Sequence, residues 1–150
     1  MEPQLLAKPA FRVVGIPITG KDRVNDIDAL WDQLAACYAE IPHADPDQGY
    51  GVHRFHADRQ EYLAGLAVRK AGTIPAGMAA QQIPPNPYAV FLHRGLAIDL
   101  VQTIEEIFSI WLPDSGYQWA GDYYYEYYDD RFQPGSRDSI IFIYLPIKEE

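Results

Sequence analysis

The chain has a single cysteine, Cys37, in 150 residues. That excludes an internal disulfide and any zinc site built from several thiolates. No apolar run comes near the roughly 18 residues that span a bilayer as a helix. The opening residues, Met1-Glu2-Pro3-Gln4-Leu5-Leu6-Ala7-Lys8, hold no apolar stretch long enough for a secretion signal. The expectation is a cytoplasmic protein without a membrane partner. Positive charge is scarce: 12 Lys and Arg stand against 21 Asp and Glu, a formal charge of −9, and the basic residues are scattered singly or in pairs such as Arg69-Lys70. Such a surface repels a phosphate backbone and offers no basic stripe, which argues against direct nucleic-acid binding. It favours the approach of cations instead. A glycine-rich phosphate loop is missing too, since neither Gly15 nor Gly20 has the flanking pattern.

What remains is a patterned chain of one-domain length, 48% hydrophobic. Residues 10–20 read as a strand ended by Gly20. A helix follows near 25–41, with Asn25 as N-cap, Asp28 at the capping-box position and an apolar stripe of Ile27, Leu30, Trp31, Leu34, Ala35, Tyr38 and Ile41. Pro42 stops it, and His43 to Gly49 reads as a loop. Strands are expected near Tyr50 to His56 and Glu61 to Arg69, then, after the turn signals Gly72, Pro75 and Gly77, as a pair from Met78 to Ile83 and Tyr88 to Arg94. A second helix near 97–112 carries Leu100, Val101, Ile104, Ile107, Phe108 and Trp111 and ends at Pro113. Tyr117 to Trp119, Tyr123 to Asp129 and Ile140 to Ile147 are the last strands, the final one apolar enough to be buried on both faces.

The two halves answer each other as strand, helix, strand, strand. Phe11 to Gly20 matches Tyr88 to Gly95, Trp31 matches Trp111, and Gly49-Tyr50 matches Gly116-Tyr117. The predicted class is α+β, a single domain over 1–150: two pseudo-symmetric βαββ units, an antiparallel sheet with both main helices on one face, and a ligand cleft between the halves.

The densest chemical signal is Tyr123-Tyr124-Tyr125-Glu126-Tyr127-Tyr128-Asp129, which holds five of the 11 tyrosines. Alternation on a strand sends Tyr124, Glu126 and Tyr128 one way and Tyr123, Tyr125, Tyr127 and Asp129 the other. A carboxylate flanked by phenol rings suits a delocalised organic cation, because charge pairing adds to cation–π attraction. Tyrosine also favours strands for packing alone, and a lone glutamate is often solvated. Other constellations are weaker. His53 and His56 are three apart on a strand, hence on opposite faces, which is poor spacing for a metal. His93 has no Ser or Cys partner, and Cys37 reads as a packed thiol. No metal site and no cofactor are expected.

The segments Tyr88-Ala89-Val90-Phe91-Leu92-His93-Arg94-Gly95, Ile107 to Tyr117 and Tyr125-Glu126-Tyr127-Tyr128-Asp129-Asp130-Arg131-Phe132, in that order, resemble the GyrI-like small-molecule-binding domain. This is the effector-binding module of AraC- and MerR-type multidrug-responsive regulators. Lys8 to Gly15 and Ile143 to Ile147 are similar as well, so the resemblance covers essentially the whole chain. It implies two βαββ units about a pseudo-twofold with the ligand site between them, and it implies that Glu126 is the pocket acid. Tyr50, Tyr62, Tyr88 and Trp119 join Tyr124 and Tyr128 as expected wall residues by strand position. The extra tyrosines before Glu126 and the run Pro84-Pro85-Asn86-Pro87 depart from the family pattern, so ligand shape does not carry over. No helix-turn-helix precedes the domain, and a stand-alone form is expected.

The resulting reading is a protein that binds small amphipathic organic cations in sensing or sequestration. Two alternatives stand beside it. One is a hydrolase of strained-ring, cyclopropanoid natural products, which some GyrI-like proteins resemble, with Glu126 as general base. The other is an inhibitor of a protein partner such as a gyrase.

Overall fold

The structure is a computed structural model that describes residues 2–19, 24–133 and 135–150, with side chains for all of these except 19 and 24–28. Among these residues nine strands and two main helices follow one another: β1 (Gln4–Lys8), β2 (Phe11–Thr19), α1 (Val24–Ala35), β3 (Ala44–Phe55), β4 (Gln60–Val68), β5 (Ala79–Ile83), β6 (Asn86–Arg94), α2 (Leu100–Glu106), β7 (Tyr117–Trp119), β8 (Tyr123–Tyr128) and β9 (Ile140–Glu149). The sheet order is β1-β6-β9-β8-β3-β4-β2-β5, antiparallel throughout, with β7 beside the end of β9. Each half contributes three strands in mirrored order, β2-β4-β3 against β6-β9-β8. The halves meet at the β3–β8 ladder, where Gly51 pairs with Glu126.

The outer strands are exchanged between halves. β1 precedes β2 in sequence but pairs with β6, while β5 precedes β6 but pairs with β2. The expected pair of strands, β5 and β6, therefore do not lie beside each other. Pro84, Pro85 and Pro87 have fixed φ and no N–H to give a ladder, so a tight two-residue turn is excluded and the chain passes on to the other end of the sheet. Short links at residues 9–10 and 84–85 tie the two ends of the sheet to each other, and the sheet curls.

Both helices lie on one face. From α1, Leu30 and Leu34 bury against Val14, Tyr62, Ala64 and Leu66. From α2 and its extension, Leu100 and Ile107 bury against Ala89, Phe91, Ile141, Ile143, Leu145 and Ile147. The ladders place Ala64, Gly51, Glu126, Ile143 and Phe91 in one cross-strand row, so these two surfaces are the same side of the sheet. The opposite, inner face carries Val13, Tyr50, Val52, Leu63, Tyr88, Val90, Tyr123 and Tyr125. None of the described helix side chains belongs to that cluster; its side chains bury one another because the sheet curls over them.

Several expected boundaries move. α1 ends at Ala35 rather than 41, and an i→i+3 bond from the Cys37 amide to the Leu34 carbonyl (2.9 Å) tightens the chain into a 3₁₀ turn at Tyr38–Glu40. Gly20 lies outside the described residues, as do the side chains of Asn25, Ile27 and Asp28 on which the capping rested. β3 begins at Ala44, with a bulge between Ala44 and Gly49 where a loop was expected. Pro113 does not end the second helix. α2 widens into a π-turn at Ile107–Trp111 and closes with a last turn at Leu112–Asp114. Proline cannot donate to the carbonyl four residues back and its ring crowds that carbonyl, so the preceding turn opens. By sheet position β8, not β7, answers β3, so Gly116-Tyr117 is not the counterpart of Gly49-Tyr50.

Trp31 and Trp111 both pack on the sheet and both remain partly exposed. Trp31 donates from Nε1 to the Tyr62 hydroxyl at 2.8 Å, and Trp111 meets Phe91 edge-on at 5.0 Å. Trp31→Ala and Trp111→Ala are each expected to cost about 2–3 kcal/mol, below the about 3–5 kcal/mol of a fully buried ring. A lowered urea midpoint for each variant is the measurement.

Candidate functional site

The site lies on the helix face of the sheet, at the seam between the halves. Strand alternation on β8 directs Glu126 there and its neighbours Tyr125 and Tyr127 to the inner face. Glu126 is 3% exposed. An ionised carboxylate so buried must accept hydrogen bonds. His53, two positions along β3 from Gly51, donates from Nε2 to Glu126 Oε2 at 2.5 Å, and the Tyr128 hydroxyl donates to Oε1 at 2.9 Å. The residue directly opposite is glycine for a spatial reason. A Cβ on Gly51 would lie 2.5 Å from the Tyr62 hydroxyl and 3.1 Å from Glu126 Oε1. The missing side chain lets Tyr62 and Glu126 crowd into the same space.

Aromatic rings surround this carboxylate. His53 stacks on Tyr124 at 4.6 Å with an interplanar angle of 17°, and meets Tyr62 edge-on at 4.8 Å. Trp31, from α1, meets Tyr128 edge-on at 5.2 Å while its indole N–H binds Tyr62. On the side of the second half, Phe55 and Phe108 join Tyr124 to Trp119. Burial, with the Glu126 carboxylate next in importance, holds the Tyr128 phenol well above its ordinary value. Tyr128 therefore stays a neutral donor to Glu126 across the physiological range.

Of the expected site residues, the structure brings Glu126, Tyr124, Tyr128 and Tyr62 together and sets Trp119 one ring further out. Tyr50 and Tyr88 do not belong with them. Tyr50 pairs with Tyr127 and alternates with Gly49 and Gly51, and Tyr88 hydrogen-bonds to Tyr123 at 2.8 Å, so both point to the inner face. Two participants escaped the sequence reading. The spacing of His53 and His56 marks His53 only as a poor metal ligand, although it is the direct partner of Glu126. Trp31 was read as core alone. His93 is structural: its ring bonds to Thr103 and to the Leu96 carbonyl, fixing β6 to the start of α2.

No helix among the described residues is long and apolar enough to cross a membrane. The transcriptional regulator BrlR of Pseudomonas aeruginosa is 32% identical over 150 residues, a match covering 98% of this chain and 56% of BrlR. The chain thus spans little more than half the length of that relative. Among solved structures, SAV2435 bound to tetraphenylphosphonium superposes with a TM-score of 0.79 at 21% identity, over 99% of this chain and 94% of the other. The EcmrR C-terminal domain superposes with a TM-score of 0.75 at 14% identity, over 99% and 98%. These two likenesses concern the fold. Residues 1–148 match the GyrI-like small molecule binding domain along almost the entire chain, and the protein belongs to that family.

Proposed function

We propose that the chain binds small amphipathic organic cations on the helix face between its two halves, with Glu126 as counter-charge and Trp31, Tyr62, Tyr124 and Tyr128 as walls, in a sensing or sequestering role. The observation that carries this reading is a carboxylate 3% exposed, at the seam, with aromatic rings around it. A delocalised cation gains from both the charge and the ring faces in such a place. The Nε2–H of His53 and the hydroxyl of Tyr128 hold the carboxylate when no ligand is bound, and an arriving cation competes with them. Tyr128 bonds to Glu126 and Trp31 packs edge-on against Tyr128, so an arriving cation has to displace these rings to reach the carboxylate. The tetraphenylphosphonium carried by the similar SAV2435 supplies a probe of suitable chemistry. Titration with tetraphenylphosphonium should quench tryptophan fluorescence saturably, whereas neutral triphenylphosphine oxide should bind far more weakly. Equal affinity for the two would remove charge from the recognition.

A further inference from the structure

The inner face holds a second aromatic enclosure, and it already contains a cation. The Lys8 ammonium stands 4.0 Å from the centre of the Phe11 ring, 4.9 Å from Tyr50, 5.4 Å from Tyr144 and 5.7 Å from Tyr125. The four rings come from four strands, β2, β3, β9 and β8, and the lysine from a fifth, β1. Ring faces converging on one ammonium within about 6 Å form the arrangement that recognises alkylated ammonium groups. Beside Lys8 opens a hollow of about 460 Å³ lined by Ala7, Lys8, Pro9, Pro85, Asn86 and Pro87, where the two links between sheet ends pass each other. β1 is the terminal strand of the sheet, and among the described residues its ladder is with β6 alone. Its lysine can leave the enclosure for the hollow without breaking a central ladder.

We infer that this enclosure of Phe11, Tyr50, Tyr125 and Tyr144 is a second ligand site, for a compact quaternary ammonium headgroup, and that Lys8 is its resident occupant, displaced when the headgroup enters.

The preference for a quaternary group follows from what the enclosure offers. A primary ammonium has three N–H donors to satisfy. Lys8 donates to the Tyr50 hydroxyl at 2.9 Å, and among the described residues it has no carboxylate partner. Ring faces attract the charge of an ammonium but accept its hydrogens poorly. Burial accordingly pulls the Lys8 ammonium down from 10.5 to about 8. A quaternary ammonium has no N–H to strand, so it keeps the attraction without that cost. The site is separate from Glu126, which faces the other side of the sheet.

Tetramethylammonium is the probe, titrated calorimetrically in a Glu126→Gln background so that the helix-face site does not contribute. Removing the resident cation in Lys8→Ala should strengthen binding about tenfold or more, and Lys8→Met should do the same while keeping the apolar stem in place. Adding Phe11→Leu or Tyr144→Leu to Lys8→Ala should abolish the gain. In the protein that retains Lys8, affinity for the permanently charged probe should rise as pH passes upward through about 8, because neutral Lys8 no longer competes. Lys8→Ala should show no such rise. The titratable groups facing Lys8 do not confuse the profile: the Tyr50, Tyr125 and Tyr144 phenols are all held above their ordinary value by burial, and Asp129 and Arg131, next to Tyr144, pair with each other. Equal affinity with and without Lys8, or a gain that survives loss of the Phe11 and Tyr144 rings, would overturn the assignment.

Discussion

Glu126→Gln is expected to cost a planar organic cation about 2–5 kcal/mol of binding free energy, the scale for a buried charge pair losing one partner. A neutral compound of the same shape should lose far less. Glutamine preserves the volume at the seam, and its carbonyl can still accept from the Tyr128 hydroxyl that now bonds to Oε1. Its amide nitrogen then faces His53, whose ring can turn its unprotonated nitrogen to accept. The fold and the enclosure of rings should survive, and only the charge is removed. Calorimetry on both proteins with the matched cationic and neutral compounds separates the outcomes. Equal losses for the two compounds would mean that Glu126 shapes the enclosure without selecting charge. No loss for either would place cation binding elsewhere, including on the inner face.

The largest expected loss of stability comes from a residue with no functional side chain. Gly15, in the middle of β2, pairs with Gly65 of β4, and a Cβ there would sit 1.9 Å from the Ala64 carbonyl oxygen and 2.4 Å from the Gly65 Cα. Those atoms are backbone, so no side chain can rotate aside. Gly15→Ala must force β2 and β4 apart at this pair, and should destabilise by about 3 kcal/mol or more, read as a fall in urea midpoint. Gly49 provides the contrast. A Cβ at that position meets the Trp31 ring at 3.4 Å, an ordinary contact, and Gly49→Ala should move the midpoint little. An unchanged midpoint for Gly15→Ala would mean that the two strands separate at no cost, contrary to the close approach of the Gly15 and Gly65 backbones.

Features set by neighbouring residues were legible in the sequence. Alternation alone divided Tyr124, Glu126 and Tyr128 from Tyr123, Tyr125 and Tyr127, and three-residue and four-residue spacing placed Leu30, Leu34, Leu100 and Ile107 on buried faces. What depended on register between distant strands was not. Whether Tyr50 faces Glu126 turns on its pairing with Tyr127 rather than with Glu126, a matter of one residue over a separation of 77. The same register brings His53 to Glu126 across 73 residues. The alternation of Gly51 with His53 opposite Tyr124 and Glu126 was the only available signal, and it becomes readable only once the ladder is known. β1 went unread because five residues carry too little periodicity to declare a strand. Its partner, β6, lies some 80 residues away. The tandem prolines of 84–87 were visible as a departure, but the exchange of outer strands they enforce belongs to the whole sheet.

That exchange makes the covalent link between the halves nearly redundant. Residues 1–68 and 79–150 are joined by three backbone ladders, β1 to β6, β2 to β5 and β3 to β8. A protease cut in the glycine- and proline-marked segment 69–78 would leave all three intact. The two pieces would remain associated as a heterodimer whose interface is the sheet itself, and neither piece alone could reconstitute the seam that carries Glu126.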